Sequence, residues 1–193
     1  MSKEMDDNKL LEFTRKGDRK AFRMLVEDNS KRLYSLAWRI LGDKQAAEDA
    51  VQESFIKAYK QLEYFDGRSK VSTWLYRITT NTAIDMKRKL IRQPTVSINS
   101  SSHDDKDFIE ITDNYSSPEQ KQHQESLKRE MAQAIQHLTE QERIAFTLKH
   151  HEGRTIDEIS NILQLSKSSV KQSIFRSVKK LRESLGHLVL EQG

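Results

Sequence analysis

Residues 155–182 read TIDEISNILQLSKSSVKQSIFRSVKKLR, and their spacing decides the fold. Ile156, Ile159, Ile162 and Leu163 recur at helical intervals, so the first part is a short amphipathic helix. Thr155-Ile-Asp-Glu158 offers it a capping box, with the hydroxyl turned to the amide three residues on and the Glu side chain turned back. The turn Gln164-Leu165-Ser166 follows, and Val170, Ile174, Val178, Leu181 and Leu185 then form the inner stripe of a second helix. Two helices joined by so short a turn have helix-turn-helix geometry. Between Ser166 and Arg182 there are six basic residues and no acid. The outward face offers Lys167, Ser168, Lys171, Gln172, Phe175, Arg176 and Lys179. These are small or polar near the helix N-terminus, where base edges are reached, and cationic further along, where phosphates lie. A helical hairpin with a basic solvated face would share the pattern; the acid-free run and the polar first turn favour DNA.

The same helical grammar extends over the rest of the 193 residues. Asp18 and Asp43 stand as N-caps before apolar-periodic runs, and Gly17 and Gly42 stop the helices before them. Ser117-Pro-Glu-Gln120 and Thr139-Glu-Gln-Glu142 are two further capping boxes, the first with Pro118 at its first helical position. The spacing predicts helices over 8–16, 19–41, 44–62, 71–91, 118–138, 140–150, 156–163 and 167–186. Six glycines and two prolines leave few tight turns, and only a weak stretch near Thr95–Ile98 alternates with period two. The expected fold is all-α.

Charge divides the chain more informatively than its net +4 suggests. Residues 1–92 carry net +6, residues 93–125 net −5 and residues 126–193 net +3. The middle segment holds both prolines, a Ser-rich patch and an acidic run without helical period. It reads as a linker, because structureless loops of that length are uncommon inside one domain. The expected organisation is one small helical domain over 8–92, a linker over 93–117 and a second helical domain over 118–186.

Two faces of the first half stand out. In 44–62, Ala47, Ala50, Val51, Ser54, Phe55, Ala58, Tyr59 and Leu62 form one small-and-apolar stripe. The opposite face carries Glu48, Asp49, Gln52, Glu53 and Lys57, with Ile56 among them. An acidic patch around an aliphatic side chain suits docking by a basic partner. A solvated face with one stray Ile would look the same, and spacing leaves both open. In 71–89, Leu75, Ile78, Thr82 and Met86 form a core stripe, while Trp74, Arg77 and Asn81 share a second face at i, i+3 and i+7. From Arg68 to Arg92 there are seven basic residues and one acid. Rings interleaved with cations and an amide suit unstacked bases, although Trp74 and Tyr76 could equally be core aromatics.

Catalytic chemistry finds no support. The six histidines include no pair at metal-ligand spacing on a helix, since His150 and His151 point to different sides. No Gly-rich phosphate loop occurs, the carboxylates are scattered, and the absence of Cys removes disulfides, thiolate metal sites and a thiol nucleophile. No catalytic residue, metal or cofactor is expected. No run reaches the roughly 18 apolar residues of a spanning helix. The stretch Met1–Asp7 lacks a signal peptide's apolar core, so a cytoplasmic chain without direct membrane insertion is expected.

Three stretches together resemble a known family, the extracytoplasmic-function (ECF) group of bacterial RNA polymerase sigma factors. They are Ala46-Ala-Glu-Asp-Ala-Val-Gln-Glu-Ser-Phe-Ile-Lys-Ala-Tyr59, Phe65–Asn81 with Ser72-Thr-Trp-Leu-Tyr-Arg-Ile78, and Leu138–Leu181, in the family's order and at its distances. The resemblance covers 8–92 and 118–186. It implies a sigma region 2 domain followed by a region 4 helix-turn-helix domain. Asp49, Gln52, Glu53 and Ile56 would dock on the β′ coiled coil of core RNA polymerase, with the β flap as a second polymerase contact. Arg68, Ser69, Lys70, Trp74, Arg77 and Asn81 would recognise and help open the −10 element. The helix 167–180 would enter the major groove at the −35 element through the face named above, with Lys149 and Arg154 on phosphates. A cognate anti-sigma factor is implied as a further partner, able to hold the chain at the membrane; bound to polymerase, it would be nucleoid-associated. The sequence departs from the family at two places. Ser168-Ser169-Val170 stands where many relatives have Gly-Thr-Val, and Ser173 where Arg or Lys is frequent.

A helix-turn-helix regulator of the response-regulator output type has a similar Ser-x-x-Val-Lys pattern. It would carry an α/β receiver or ligand-binding domain first, whereas 1–92 is helical throughout. A helical enzyme acting on nucleic acid would need a metal or carboxylate cluster that the sequence lacks.

Overall fold

The computed structural model describes residues 7–92 and 130–190, apart from 132 and 136. The helices are α1 (Asp7–Arg15), α2 (Arg19–Leu41), α3 (Lys44–Lys60), α4 (Val71–Arg92), α5 (Glu140–Phe146), α6 (Ile156–Leu163) and α7 (Lys167–Leu190). Residues 130–131 and 133–135 are also helical. Among the described residues there is no strand. The linker, the weak alternating stretch and the Ser117–Gln120 capping box lie outside the described residues. By Cα proximity the chain divides into Met1–Val96 with Asp157–Leu165, and Ser97–Ile156 with Ser166–Gly193. No helix among the described residues is long and apolar enough to cross a membrane.

The first unit is a bundle in which α2 packs against α1, α3 and α4. The Asp18 carboxylate accepts from the amides of Lys20 and Ala21, and Asp43 from Ala46. Gly17 and Gly42 take φ of 90° and 76°, left-handed backbone that a side chain would strain. Lys87 donates to the carbonyl of Ile40 at 2.7 Å, placing a cation at the carbonyl end of α2. Leu10, Leu25, Leu33, Leu36, Leu75 and Tyr76 are essentially inaccessible, and Ala47, Ala50 and Ala58 let α3 approach its neighbours closely.

Several sequence expectations shift here. Tyr59, expected in the buried stripe, is 52% exposed. The helix ends at Lys60, and a 3₁₀ turn over Leu62–Tyr64 buries Leu62 instead. Tyr76 is a core aromatic, as the alternative reading had it, while Trp74 remains half-exposed. Met86 is only half-buried; Val71, Thr73, Thr79, Thr80 and Ala83 extend the buried side of α4 far beyond one stripe. A helix wedged against both α2 and α3 needs apolar or small residues over most of its circumference.

In the second unit, α5 packs against α7. The expected capping box at α5 forms: Glu142 N–H donates to Thr139 Oγ1 and Thr139 N–H donates to Glu142 Oε2 at 3.0 Å. The helix expected over 140–150 instead turns π-helical across Thr147–His151, which buries Thr147 and Leu148 and leaves Lys149 exposed. The inner face of α7 is smaller and more polar than expected. Among its described side chains Val170, Ser173 and Ser177 are buried, with Ile174, Val178 and Leu181 half-buried. Gln141 donates to Ser173 Oγ at 2.9 Å, so Ser173 belongs to the α5–α7 seam and not to the outward face.

Glu142 also receives Lys180 Nζ at 2.7 Å, with 7% of its side chain exposed. Burial would raise its pKa, but the Lys180 contact and the Thr139 amide outweigh that and hold it below the ordinary value of 4.5. A carboxyl lowered on folding stabilises above its unfolded pKa and loses that contribution as pH falls through the folded value. Glu142→Gln is expected to destabilise this unit by about 2 kcal/mol near neutral pH, the upper range for broken pairs being reduced because Lys180 is partly solvated. In urea melts the gap between parent and variant should narrow progressively as the pH falls below the ordinary value of 4.5.

Candidate polymerase and nucleic-acid interfaces

The outer face of α3 presents Asp49, Gln52 and Glu53 to solvent, with Ile56 half-exposed beside them. Ile56 is not an isolated aliphatic. It borders an apolar hollow of about 480 Å³ shared with Phe22, Phe55 and Tyr59 and rimmed by Arg19 and Lys60. Phe22 packs edge-on against Tyr59 with centroids 5.0 Å apart, and against Phe55 at 6.5 Å. Phe22 and Tyr59 were not legible as part of this face, because their contact joins α2 to α3.

The turn before α4 is built for exposure. Asp66 accepts from the Arg68 amide at 3.0 Å and pairs with the Arg68 guanidinium at 3.0 Å, and Gly67 takes φ of 74°. That turn leaves Arg68 and Lys70 exposed and Ser69 half-exposed. Arg15 fixes its base from α1, donating to the carbonyls of Leu62 and Phe65 and lying 5.9 Å from the Phe65 ring. Phe65 in turn packs against Trp74, centroids 5.0 Å apart and planes tilted 44°. One face of Trp74 is thus supported while the residue stays half-exposed.

Trp74, Arg77 and Asn81 line a common groove of about 380 Å³ along α4. Four residues that spacing did not nominate join them: Lys57 from α3, Gln61 just past its end, Tyr64 from the 3₁₀ turn and Asp85 from α4. Tyr64 is 83% exposed, an aromatic surface whose only sequence signal was its place beside Phe65. The groove offers rings, two amides and two cations beside the Asp85 carboxylate, chemistry suited to an unpaired, anionic strand.

In the helix-turn-helix segment, Gln164 takes φ of 55°, reversing the chain after α6. The Leu165 amide donates to Ser160 O at 3.2 Å, and Ser166 Oγ accepts from the Ser169 amide at 3.2 Å to cap α7. Lys167, Ser168, Lys171, Gln172, Phe175, Arg176 and Lys179 are all exposed, Phe175 to 70%. Lys149 is exposed and Arg154 half-exposed after the π turn. Lys179 pairs loosely with Glu183 at 3.8 Å; an exposed pair of this kind adds little and is readily exchanged for a phosphate.

Comparison with known proteins identifies the family. Sigma-70 region 2 matches residues 25–93, and Sigma-70, region 4 matches residues 128–181. The RNA polymerase sigma-H factor of Pseudomonas aeruginosa is 34% identical over 188 residues, covering 96% of each chain. The ECF RNA polymerase sigma-E factor of Salmonella typhimurium is 36% identical over 183 residues, covering 92% of this chain and 93% of its own. Among solved structures, CnrH in complex with the cytosolic domain of CnrY has a TM-score of 0.67 at 22% identity, covering 94% of this chain and 97% of the other. Sigma factor RpoE in complex with the anti-sigma factor NepR, from Bartonella quintana, has a TM-score of 0.61 at 22% identity, covering 86% and 98%. Both structures share the fold. With both sigma regions present in order and full-length relatives above 30% identity, the chain belongs to the ECF group of RNA polymerase sigma factors, a family of non-catalytic transcription initiation factors.

Proposed function

We propose that the chain binds core RNA polymerase and directs initiation at promoters carrying its own −10 and −35 elements, with no catalytic step of its own. The α3 face of Asp49, Gln52, Glu53 and Ile56 docks on a basic polymerase surface, the β′ coiled coil. Charge steers the encounter, while Ile56 and the adjoining apolar hollow supply the desolvated centre. Arg68, Ser69, Lys70, Trp74, Arg77 and Asn81 take the −10 strand as it opens. Lys167, Ser168, Lys171, Gln172, Phe175, Arg176 and Lys179 read the −35 duplex, with Lys149 and Arg154 on its backbone. In this scheme 8–92 is the −10 domain, 118–186 the −35 domain and 93–117 the connection that sets their spacing. An anti-sigma factor would restrain the chain, the Bartonella quintana sigma factor being solved in complex with one, and the chain would work in the cytoplasm.

The observation that carries this reading is the groove on α4, where a supported Trp ring, Arg77 and Asn81 lie together in the region 2 match. The test is selection of genomic DNA fragments by core polymerase with and without the protein, followed by sequencing. A two-part motif at fixed spacing should be enriched only with the protein. Equal recovery with core alone would defeat the reading.

A further inference from the structure

The hollow beside α3 carries two cations that docking on a basic surface leaves unexplained. Its floor and walls are apolar: Phe55 is buried, Phe22 half-buried, and Ile56 and Tyr59 half-exposed. Phe22 meets Phe55 at 89° between ring planes and Tyr59 at 65°. Neither pair forms a parallel slot for a flat ring, so the walls suit a flexible aliphatic chain. The rim is cationic. Arg19 opens α2 three residues before Phe22, and Lys60 closes α3 four residues after Ile56, spacings that bring each onto the side of the hollow. Both are exposed, and among the described residues neither has a carboxylate partner. Such a rim opposes a basic partner and favours an anion. A concavity of about 480 Å³, apolar inside with a few polar groups to one side, has the make-up of a small-molecule site.

We propose that the hollow binds a free medium-chain fatty acid, its alkyl chain among Phe22, Phe55, Ile56 and Tyr59 and its carboxylate between Arg19 and Lys60. Burial of the alkyl chain supplies the affinity, and the two cations supply the preference for an acid over the corresponding alcohol. Ile56 also belongs to the proposed polymerase face, so a seated fatty acid covers the apolar centre that docking uses. Fatty acid and polymerase therefore exclude one another, and free acid lowers the fraction of the protein bound to polymerase. This competition rests on the α3 docking reading; the ligand site does not.

The test is equilibrium dialysis of radiolabelled decanoate, kept below micelle-forming concentration, against the full chain. One saturable site is expected. Octanoate should bind about fivefold more weakly, short of the roughly 15-fold that complete burial of two methylenes gives, because the hollow is open. Arg19→Gln/Lys60→Gln should weaken decanoate about fivefold, the scale of two exposed ion pairs, and leave decanol unchanged. Arg19→Lys/Lys60→Arg should retain the parental affinity, and Tyr59→Ser should weaken acid and alcohol alike by removing one apolar wall. Uptake that never saturates would overturn the proposal, as would decanol binding as tightly as decanoate. So would a site indifferent to both Tyr59→Ser and Arg19→Gln/Lys60→Gln. Decanoate at four times its Kd should then weaken association of the parent with labelled core polymerase about fivefold, as simple competition requires. Asp49→Lys/Glu53→Lys tells the failures apart. If that variant loses core binding while decanoate leaves the parent's core affinity unchanged, the competition falls; if the variant binds core normally, the docking reading falls and dialysis alone decides the site.

Discussion

The double variant Asp49→Lys/Glu53→Lys is expected to bind core RNA polymerase about 100-fold more weakly than the parent, or worse, while keeping its fold. Both side chains are exposed on α3, so neither reversal disturbs the buried Ala47, Ala50, Ser54 and Phe55 stripe. Against a basic partner each reversal replaces an attraction by a repulsion, and like-charge juxtaposition at an interface costs several kcal/mol. The loss should be largest at low ionic strength and appear mainly in the association rate, because these are rim charges around an apolar centre. Titration of labelled core measures it. Affinity of the variant for a −35 duplex should be unchanged, since the exposed face of α7 contains neither residue. Unaltered core affinity would remove α3 as the docking face.

Trp74→Ala should reduce the stability of the open complex by about 5- to 150-fold, the range for losing one base–aromatic stack of ~1–3 kcal/mol. The ring is backed by Phe65, whose carbonyl is in turn held by Arg15, so one side of the indole is pre-positioned. Pre-positioning lowers the ordering cost when a base stacks on the ring. Truncation also removes packing from Phe65, so a drop in Tm is expected in Trp74→Ala. Trp74→Tyr keeps a ring against Phe65 and should recover part of the strand opening, which permanganate reactivity of the −10 thymines reports. Recovery of Tm without recovery of reactivity would mean that any aromatic packs there but the indole itself is required. Full reactivity in Trp74→Ala would exclude stacking on this residue.

What the sequence made legible was local. Asp18, Asp43 and the Thr139–Glu142 box cap the helices they precede, and Gly17 and Gly42 end the helices before them, because caps depend on four or five consecutive residues. The outward face of α7 was legible for the same reason: period 3.6 separates it from Val170, Ile174 and Val178. Contacts between helices were not. Tyr59 matches the apolar stripe by spacing, yet Phe22 draws it to the surface of a hollow shared with α2. Ser173 and Ser177 lie outside the apolar stripe read from spacing, yet both are buried, and α5 packs closely enough for Gln141 to reach Ser173. That seam also explains one departure from the family, since a residue hydrogen-bonded to α5 is withdrawn from the outward face. Lys57, Gln61 and Tyr64 belong to the groove along α4 only because the end of α3 and the 3₁₀ turn fold against α4.

The most direct measurement of the central claim is run-off transcription with purified core polymerase, this protein and the DNA fragments that the two together select. The account predicts transcripts of discrete length that require the protein, start a fixed distance from the enriched two-part motif, and vanish with Asp49→Lys/Glu53→Lys. A folded protein that yields no transcript above core alone on any selected fragment would contradict it.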